Sequence, residues 1–374
     1  MANLLTGEPH VLGAEGQRAK RPRRKGSPSE IDRAMTEQSM TPDPIGLATC
    51  PSCDDLRRKE VSTRFYEARF ASGYVDEWPL EKKQRVEEVI RSLGLPASGT
   101  ALDYGCGNGV LTEVLQKALP NWTIEGGDLS ETAVANSSAR CPRLHFYLLT
   151  EGHIGLHTYD FVFTHHVLEH VYDLDRAWKE LMGLLKPTGS MLHILPCGNH
   201  GSLEQRLCAL RTDGINPQQD NRFFFEDEGH LRRLSTDDVT RRAEGDGFRL
   251  ARAYYANQYY GAIDWLTAAP HEFLLRLTDG THATDGWARA QLGWFRWFLG
   301  LIGRVRRFRS EYERIRKKSP KAVKHSAFLI GTWGIFVLSG GLNRLLTRLT
   351  ALEWKSRKAQ RNGSEMYLHF SRGR

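Results

Sequence analysis

Cysteine is scarce in this chain, with only six scattered over 374 residues. This scarcity argues against a disulfide-stabilised scaffold and predicts a protein of the reducing cytoplasm. Cys50 and Cys53 form one C-x-x-C pair, but no second pair follows at the spacing of a zinc ribbon, so we expect a plain loop there. The first residues also lack the apolar segment of a secretory signal peptide.

The first 55 residues lack apolar periodicity and are rich in Pro, Gly, Ser and charge, which predicts a disordered basic tail. Residues 18–25 place six basic residues among eight. We interpret this run as part of a solvated tail, and contact with nucleic acid or a membrane surface is the alternative. Residues 57–93 then predict a helical stretch before the first strand.

Acidic residues are scarce in the C-terminal part of the chain. Residues 286–374 hold 20 Lys and Arg but only 4 Asp and Glu, which gives a net charge of +16. The other 285 residues hold 32 Lys and Arg and 40 Asp and Glu, which gives a net charge of −8. Trp and Phe are interleaved with these arginines. Residues 325–343 carry no charged side chain, but this run is shorter than the roughly 20 residues of a membrane span. The pattern favours a helix that lies on an anionic membrane surface.

The most informative motif is the stretch 102–109, which places an acid and three alternating glycines between an apolar strand and a helical pattern. Glycines there allow positive φ and a close approach of the backbone to a ligand. Dinucleotide loops follow G-x-G-x-x-G, whereas Gly105, Gly107 and Gly109 follow G-x-G-x-G after Asp103. Because a carboxylate repels pyrophosphate, the pattern predicts S-adenosylmethionine, a cationic cofactor. Asp128 ends a second apolar strand, where it can accept both ribose hydroxyls.

From residue 100 to about 255 the chain resembles the class I S-adenosylmethionine-dependent methyltransferases, in the large family that includes the ubiquinone-biosynthesis O-methyltransferases. Four ordered motifs carry the resemblance: the loop at 102–109, a strand and turn at 159–171, a helix end, tight turn and strand at 184–196, and the segment at 230–248. Thr188 departs from the pattern because it replaces the first glycine of the usual Pro-Gly-Gly turn. The resemblance implies an enzyme with a Rossmann-like, doubly wound α/β fold and a seven-stranded sheet.

The final strands predict the domain organisation. Residues 248–255 and 366–370 have strand patterns, and in this family strands six and seven form a hairpin. We therefore predict a methyltransferase domain at 56–256 plus 362–374. Residues 257–361 then form a basic, aromatic-rich helical insertion between the last two strands, placed to cover or supply the active site.

The loop and the resemblance together predict the cofactor site. Its candidate residues are Asp103, Tyr104, Gly105, Cys106, Gly107, Gly109, Asp128, Leu129, Ser130, Thr150 and Thr164. Thr150 and its neighbour Glu151 are assigned to the adenine by position alone, because residues 148–157 lack the Asp that often contacts adenine in this family.

His165 and His166 end the predicted fourth strand, where open α/β sheets bind ligands. Either imidazole can take a proton from the acceptor, and lining the pocket is the alternative role. Related quinone and small-RNA methyltransferases carry E-x-x-E-H here and bind a divalent metal. This chain has His166, Glu169 and His170 at those positions, and we favour structural packing over a metal site, with His230 as a further candidate ligand.

We expect methyl transfer to a hydroxyl, or otherwise to an amine or carbon, of a hydrophobic or lipid-linked small molecule. The basic insertion predicts a cytoplasmic protein that is peripheral on an anionic membrane surface. Two other interpretations stay open at this point. In one, the acceptor is RNA or another nucleic acid bound by the basic N- and C-terminal regions. In the other, the chain is a non-catalytic, cofactor-binding membrane scaffold. The sequence predicts no oligomeric state.

Overall fold

The computed structural model describes residues 55–74, 77–149, 158–318 and 328–372. The basic run at 18–25 and the Cys50 and Cys53 pair lie outside these ranges. So do Thr150 and Glu151, together with the first three residues of the uncharged segment 325–343. The predictions made for these residues therefore stay predictions.

A seven-stranded sheet forms the centre of the molecule, in the order β3-β2-β1-β4-β5-β9-β8. Strands β1 to β5 are parallel, and β9 runs antiparallel between β5 and β8. This order confirms the predicted doubly wound fold and the predicted terminal hairpin. The seven strands are β1 (Thr100–Tyr104), β2 (Thr123–Asp128), β3 (His145–Leu148), β4 (Tyr159–His165), β5 (Leu185–Pro196), β8 (Phe248–Ala256) and β9 (Glu365–Arg372).

Helices cover both faces of the sheet, and a separate two-stranded hairpin is formed by β6 (Ile215–Asn216) and β7 (Arg222–Phe223). The predicted helical stretch 57–93 is in fact two helices, with Pro79 at the N-cap of the second. The helices before β8 are α1 (Lys59–Ala71), α2 (Leu80–Ser92), α3 (Val110–Ala118), α4 (Glu131–Arg140), α5 (Leu174–Leu184), α6 (Leu203–Ala209) and α7 (Thr236–Gly245).

Central strands of the sheet are buried on both faces, as parallel strands between two helical layers must be. Phe161, Val162 and Phe163 of β4 have no exposed surface, and Val162 packs in a different cluster from its two neighbours. Their side chains alternate between the two layers. The loops at the C-terminal ends of these strands are thereby held on a rigid base.

The turn predicted within 184–190 does not form a separate element between helix and strand, because β5 begins at Leu185, directly after α5. Its first residue pairs with Tyr159, and the register then shifts before Phe161 pairs with Ser190. Residues 186–189, which include the Pro-Thr-Gly sequence, therefore form a wide irregularity inside the strand.

Four helices follow β8 in the chain and precede β9: α8 (Tyr260–Ala268), α9 (His271–Leu277), α10 (Gly286–Lys318) and α11 (Phe328–Arg357). Their shared apolar cluster includes Leu266, Phe273, Leu292 and Leu299. Among the described residues, no helix is both long and apolar enough to cross a membrane. The predicted boundaries of the insertion at 257 and 361 stay a prediction.

Candidate functional site

The glycine loop after β1 has the backbone that its sequence requires. Gly105 and Gly107 have φ values of 77° and 51°, in the left-handed region that favours glycine. A Cβ atom on Gly105 would lie 2.5 Å from Cγ2 of Val167, so this position also has no space for a side chain. The loop therefore brings bare backbone to the C-terminal edge of the sheet.

Asp128 at the end of β2 connects this loop to the next helix. Its Oδ2 accepts a hydrogen bond of 2.9 Å from the N–H of Gly107, and its Oδ1 accepts one of 3.0 Å from the N–H of Ser130. Burial raises the pKa of the carboxyl, while these N–H groups lower it. Each carboxylate oxygen can accept a second hydrogen bond, so Asp128 fits a ligand with two adjacent hydroxyls, such as a ribose.

Asp103 is buried at the end of β1 and accepts a 2.6 Å hydrogen bond from Oγ1 of Thr112. Burial raises the pKa of Asp103 to about 7, against the opposing effect of the Thr112 hydroxyl. A cationic ligand beside this carboxyl would restore its charge. The carboxylates of Asp103 and Asp128 thus fit the ammonium group and the ribose of S-adenosylmethionine.

A cavity of about 1630 Å³ opens above the glycine loop and extends to the helices that follow β8. The predicted cofactor and catalytic residues that line it are Asp103, Tyr104, Gly105, Cys106, Gly107, Asp128, Leu129, His165 and His166. These residues are brought together as predicted, and their individual contacts with a cofactor stay predictions.

Three predicted cofactor residues do not line this cavity. Gly109 is the N-cap of α3, with a φ of 74° and close packing on Ser137. Ser130 caps α4, where its Oγ accepts a 3.1 Å hydrogen bond from the N–H of Ala133. Thr164 points into the core and hydrogen-bonds Nδ1 of His193 at 2.8 Å. We correct their assignment, since each supports the fold beneath the loop.

Helix α1 closes the cofactor side of the cavity. Its Glu67 accepts hydrogen bonds from Oγ of Ser130 at 2.6 Å and from the N–H of Thr132 at 3.1 Å, at the start of α4. Asn108 of the loop donates to the carbonyl oxygen of Tyr74 at 2.9 Å. Residues 59–74 are therefore tied to the glycine loop and to the start of α4.

His165 at the end of β4 is a neutral imidazole. Burial, with the positive charge of Lys82 nearby, lowers its pKa well below the usual value. Its ring contacts the edge of Trp78 at 4.9 Å between centroids. Nε2 of His165 is buried without a hydrogen-bond partner in the described part of the chain. An unpartnered nitrogen in a cavity wall can accept a proton or a hydrogen bond from a ligand.

His166, the next residue, has a φ of 52°, which is uncommon outside glycine and turns its ring away from the strand direction. Nδ1 of His166 lies 2.8 Å from Oε1 of Glu169, and Nε2 lies 3.1 Å from Oε1 of Glu365. Trp78 stacks on the ring at 5.8 Å. The carboxylate of Glu169 and the ring of Trp78 hold His166 in one orientation.

The weaker metal candidates do not all lie together. Candidate ligand atoms of His166, Glu169 and His230 come within 4.8 Å of one another, and His170 is not in this group. Nδ1 of His170 is engaged by the hydroxyl of Tyr66 at 2.8 Å and faces the carbonyl oxygen of Gly229 at 3.0 Å. His170 therefore contacts α1, which agrees with the packing role favoured from the sequence.

Trp78, Lys82 and Glu365 surround the two histidines. Trp78 belongs to the helical stretch predicted at 57–93, whereas no motif pointed to Lys82 on α2 or to Glu365 at the start of β9. One signal was present: Glu365 directly precedes the strand predicted at 366–370, and in the antiparallel pair it lies opposite Pro196, at the carboxyl end of β5.

Residues 80–253 match a family model described as "Methyltransferase domain". A curated relative, trans-aconitate 2-methyltransferase from Variovorax paradoxus (strain S110), is 26% identical over 118 residues, which are 31% of this chain and 46% of the relative. The chain thus spans about half the length of this relative.

Solved structures of methyltransferases are also similar. One is phosphoethanolamine N-methyltransferase 2 of Haemonchus contortus in complex with S-adenosyl-L-methionine, with a TM-score of 0.42, 16% identity, and coverage of 89% of this chain and 62% of that chain. Another is a SAM-dependent methyltransferase of Aquifex aeolicus, with a TM-score of 0.35 and 19% identity. The match covers 49% of this chain and 95% of that chain. These likenesses are too low to support an argument about function.

The assignment rests instead on the family match, the strand order and the loop with its two acids. The loop, its two acids and strands β1 to β5 lie within the matched region, and β9 lies beyond it. Residues 80–253 of this chain therefore match a methyltransferase domain, and the fold and the loop fit S-adenosylmethionine.

Proposed function

We propose that the chain transfers the methyl group of S-adenosylmethionine to an oxygen atom of a hydrophobic or lipid-linked small molecule at a membrane surface. The observation that supports this proposal is the continuity of the cavity. It begins at Gly105 and Gly107, passes His165, and reaches Trp265 and Trp354 beyond β8. One part of the lining thus belongs to the cofactor loop, and the part beyond β8 combines aromatic and aliphatic residues with polar ones such as Asp264 and Arg306.

When bound, S-adenosylmethionine supplies an electrophilic methyl group. The chain's residues then have to orient the acceptor, exclude water and remove one proton. We assign the proton acceptance to His165, because its ring lines the cavity and its Nε2 has no partner in the described structure. Trp78, stacked over His166 and against His165, covers this pair.

The surface of α10 supports the membrane part of the proposal. Trp287, Trp294, Trp297 and Leu301 are 74%, 52%, 63% and 49% exposed. Their spacing places them on one face of the helix, opposite the buried Leu292 and Leu299. We call these four residues the aromatic stripe. Exposed tryptophans on a helix in a strongly basic region are typical of an interfacial anchor.

A small-molecule acceptor is also in line with the curated relative, which is named for trans-aconitate. The acceptor proposed here differs in being hydrophobic. Beyond β8 the cavity lining includes Ala268, Ala269 and Ala351 together with the two tryptophans, beside polar residues such as Asp264 and Arg306.

The test is a product search. The full chain is incubated with methyl-labelled S-adenosylmethionine and with separate lipid, aqueous and RNA fractions of a host extract. We expect label in the lipid fraction, with a methyl ether or ester identified by mass spectrometry. Label only in RNA, or only on nitrogen or carbon, would contradict the proposal. A chain that binds the cofactor and labels none of the fractions would contradict it as well.

A further inference from the structure

Lys82 reaches the two histidines from helix α2, and neither the sequence motifs nor the family match assigns it a role. Its Nζ donates a short hydrogen bond to Oε1 of Glu365 and lies 3.2 Å from Nε2 of His166. It also lies 4.2 Å from the centre of the Trp78 ring. With a side chain 15% exposed, Lys82 is a largely buried cation in the cavity wall.

The place that Lys82 occupies has the ligands of a cation site. Nitrogen atoms of His165 and His166 and an oxygen of Glu365 lie within 4.8 Å of one another, a separation suited to a metal ion. The Lys82 ammonium contacts two of these three groups. A positive charge of the chain itself therefore contacts the same group of side chains that includes His165, whose Nε2 has no partner in the described structure.

We propose that Lys82 is a catalytic residue, which binds the acceptor oxygen and stabilises its developing negative charge where a metal ion would otherwise do so. This inference rests on the proposed methyl transfer to oxygen. An ammonium has three N–H donors, and Glu365 and His166 account for two. The third is available to an acceptor oxygen placed next to His165. Glu365, held by a 2.5 Å hydrogen bond from the Tyr367 hydroxyl, is the positioning residue for Lys82.

The step balances with the residues present. The acceptor oxygen bonds to the methyl carbon, and the carbon–sulfur bond breaks with its electron pair left on sulfur. The hydroxyl proton passes to Nε2 of His165, and the Lys82 ammonium stays protonated throughout. No metal ion is required for charge balance, because the ammonium offsets the charge that develops on oxygen.

The first test compares Lys82→Met with Lys83→Met. Lys83 is the next residue on the same helix, pairs with Glu77 and does not line the cavity. With the extract fraction that the unaltered chain labels, we expect Lys82→Met to lower kcat by roughly 100-fold, as loss of one group that stabilises an oxyanion does. Affinity for S-adenosylmethionine should stay within about two-fold, and Lys83→Met should match the unaltered chain. A kcat of Lys82→Met within two-fold of the unaltered chain would overturn the inference.

Glu365→Gln tests the positioning role. It keeps a group able to accept from Tyr367 but removes the charge that holds Lys82. We expect kcat to fall more than KM rises, with Glu365→Asp recovering part of kcat. A loss confined to thermal stability, with kcat unchanged, would assign Glu365 a structural role only.

A second test is independent of turnover. Co²⁺ is titrated into His230→Ala, which disables the other candidate ligand set, and into the same variant with Lys82→Ala. If Lys82 fills the cation position, only the double variant develops the visible absorption of coordinated Co²⁺. Equal binding by both proteins would refute the placement of Lys82. If the unaltered chain shows no turnover but only the double variant binds Co²⁺, the proposed function is rejected. The placement of Lys82 at the cation position is then still supported.

Discussion

The carboxylate of Glu353, near the end of helix α11, accepts a 3.0 Å hydrogen bond from the N–H of Gly261 in the first turn of helix α8. The same carboxylate accepts from the N–H groups of Tyr259 and Tyr260 at 2.8 Å and 3.1 Å. Three free N–H groups of one helix are thus satisfied by a buried acid more than 90 residues later in the chain. This contact joins the last helix of the region to the segment that leaves β8.

Glu353→Ala removes this cap and leaves buried N–H groups without a partner. We expect the free energy of unfolding to fall by about 1–3 kcal/mol, because unsatisfied buried donors are costly. Chemical unfolding followed by tryptophan fluorescence measures the change. Ser356→Ala, which removes an exposed side chain one turn away, serves as the control and should alter stability little. Equal stability of the two variants would show that Glu353 is not an effective cap.

Gly105→Ala tests the closeness of the cofactor loop to the turn after β4. The alanine would have to keep a φ of 77°, and its Cβ atom would lie 2.5 Å from Cγ2 of Val167. Gly94→Ala is a matched control, because its φ of 73° is similar and nothing lies within 4 Å of the added atom. Both changes carry the strain of a left-handed residue, about 1 kcal/mol. We expect Gly105→Ala to cost about 1–3 kcal/mol more and to weaken cofactor binding. Thermal unfolding and calorimetry measure both quantities, and equal effects would contradict the packing.

Asp128→Asn tests the cofactor site without a large change of shape. The substitution removes the charge that accepts from Gly107 and faces the predicted ribose. We expect the affinity for S-adenosylmethionine to fall by roughly 10- to 100-fold, which corresponds to about 1.5–3 kcal/mol for charged hydrogen bonds. Isothermal calorimetry gives the Kd. Glu131→Gln, an exposed acid in the next helix that does not line the cavity, should bind as the unaltered chain does.

Replacing Trp294 and Trp297 with Ser tests the aromatic stripe. Each exposed tryptophan should bury apolar surface in the lipid interface, so the double variant should bind anionic vesicles at least about ten-fold more weakly. Co-sedimentation with phosphatidylglycerol vesicles measures this. Leu275→Ser removes an exposed apolar residue from α9 and is the control. Undiminished sedimentation of the double variant would exclude the stripe as the anchor, and salt-sensitive binding to RNA alone would favour the nucleic-acid interpretation.

Local sequence patterns predicted much of the architecture. The alternating glycines, the apolar strands and the helix that follows identified the loop, and the strand patterns at 248–255 and 366–370 predicted the terminal hairpin. Such features depend on neighbours within a few residues, so periodicity and turn chemistry reveal them. The turn predicted within 184–190 shows the limit, because pairing with β4 decided that segment's conformation.

By itself, the sequence determined the cofactor loop with its two acids, and hence the class of chemistry. Only the tertiary structure decided which groups surround the acceptor. Lys82 and Glu365 are separated by 283 positions in the chain, and their contact exists because α2 packs over the edge where β9 joins β5. Thr164 and His165 are adjacent in sequence, yet the strand's alternation buries one against His193 and turns the other toward the cavity. Long-range packing, which no local sequence pattern encodes, therefore determines which side chains face the cavity.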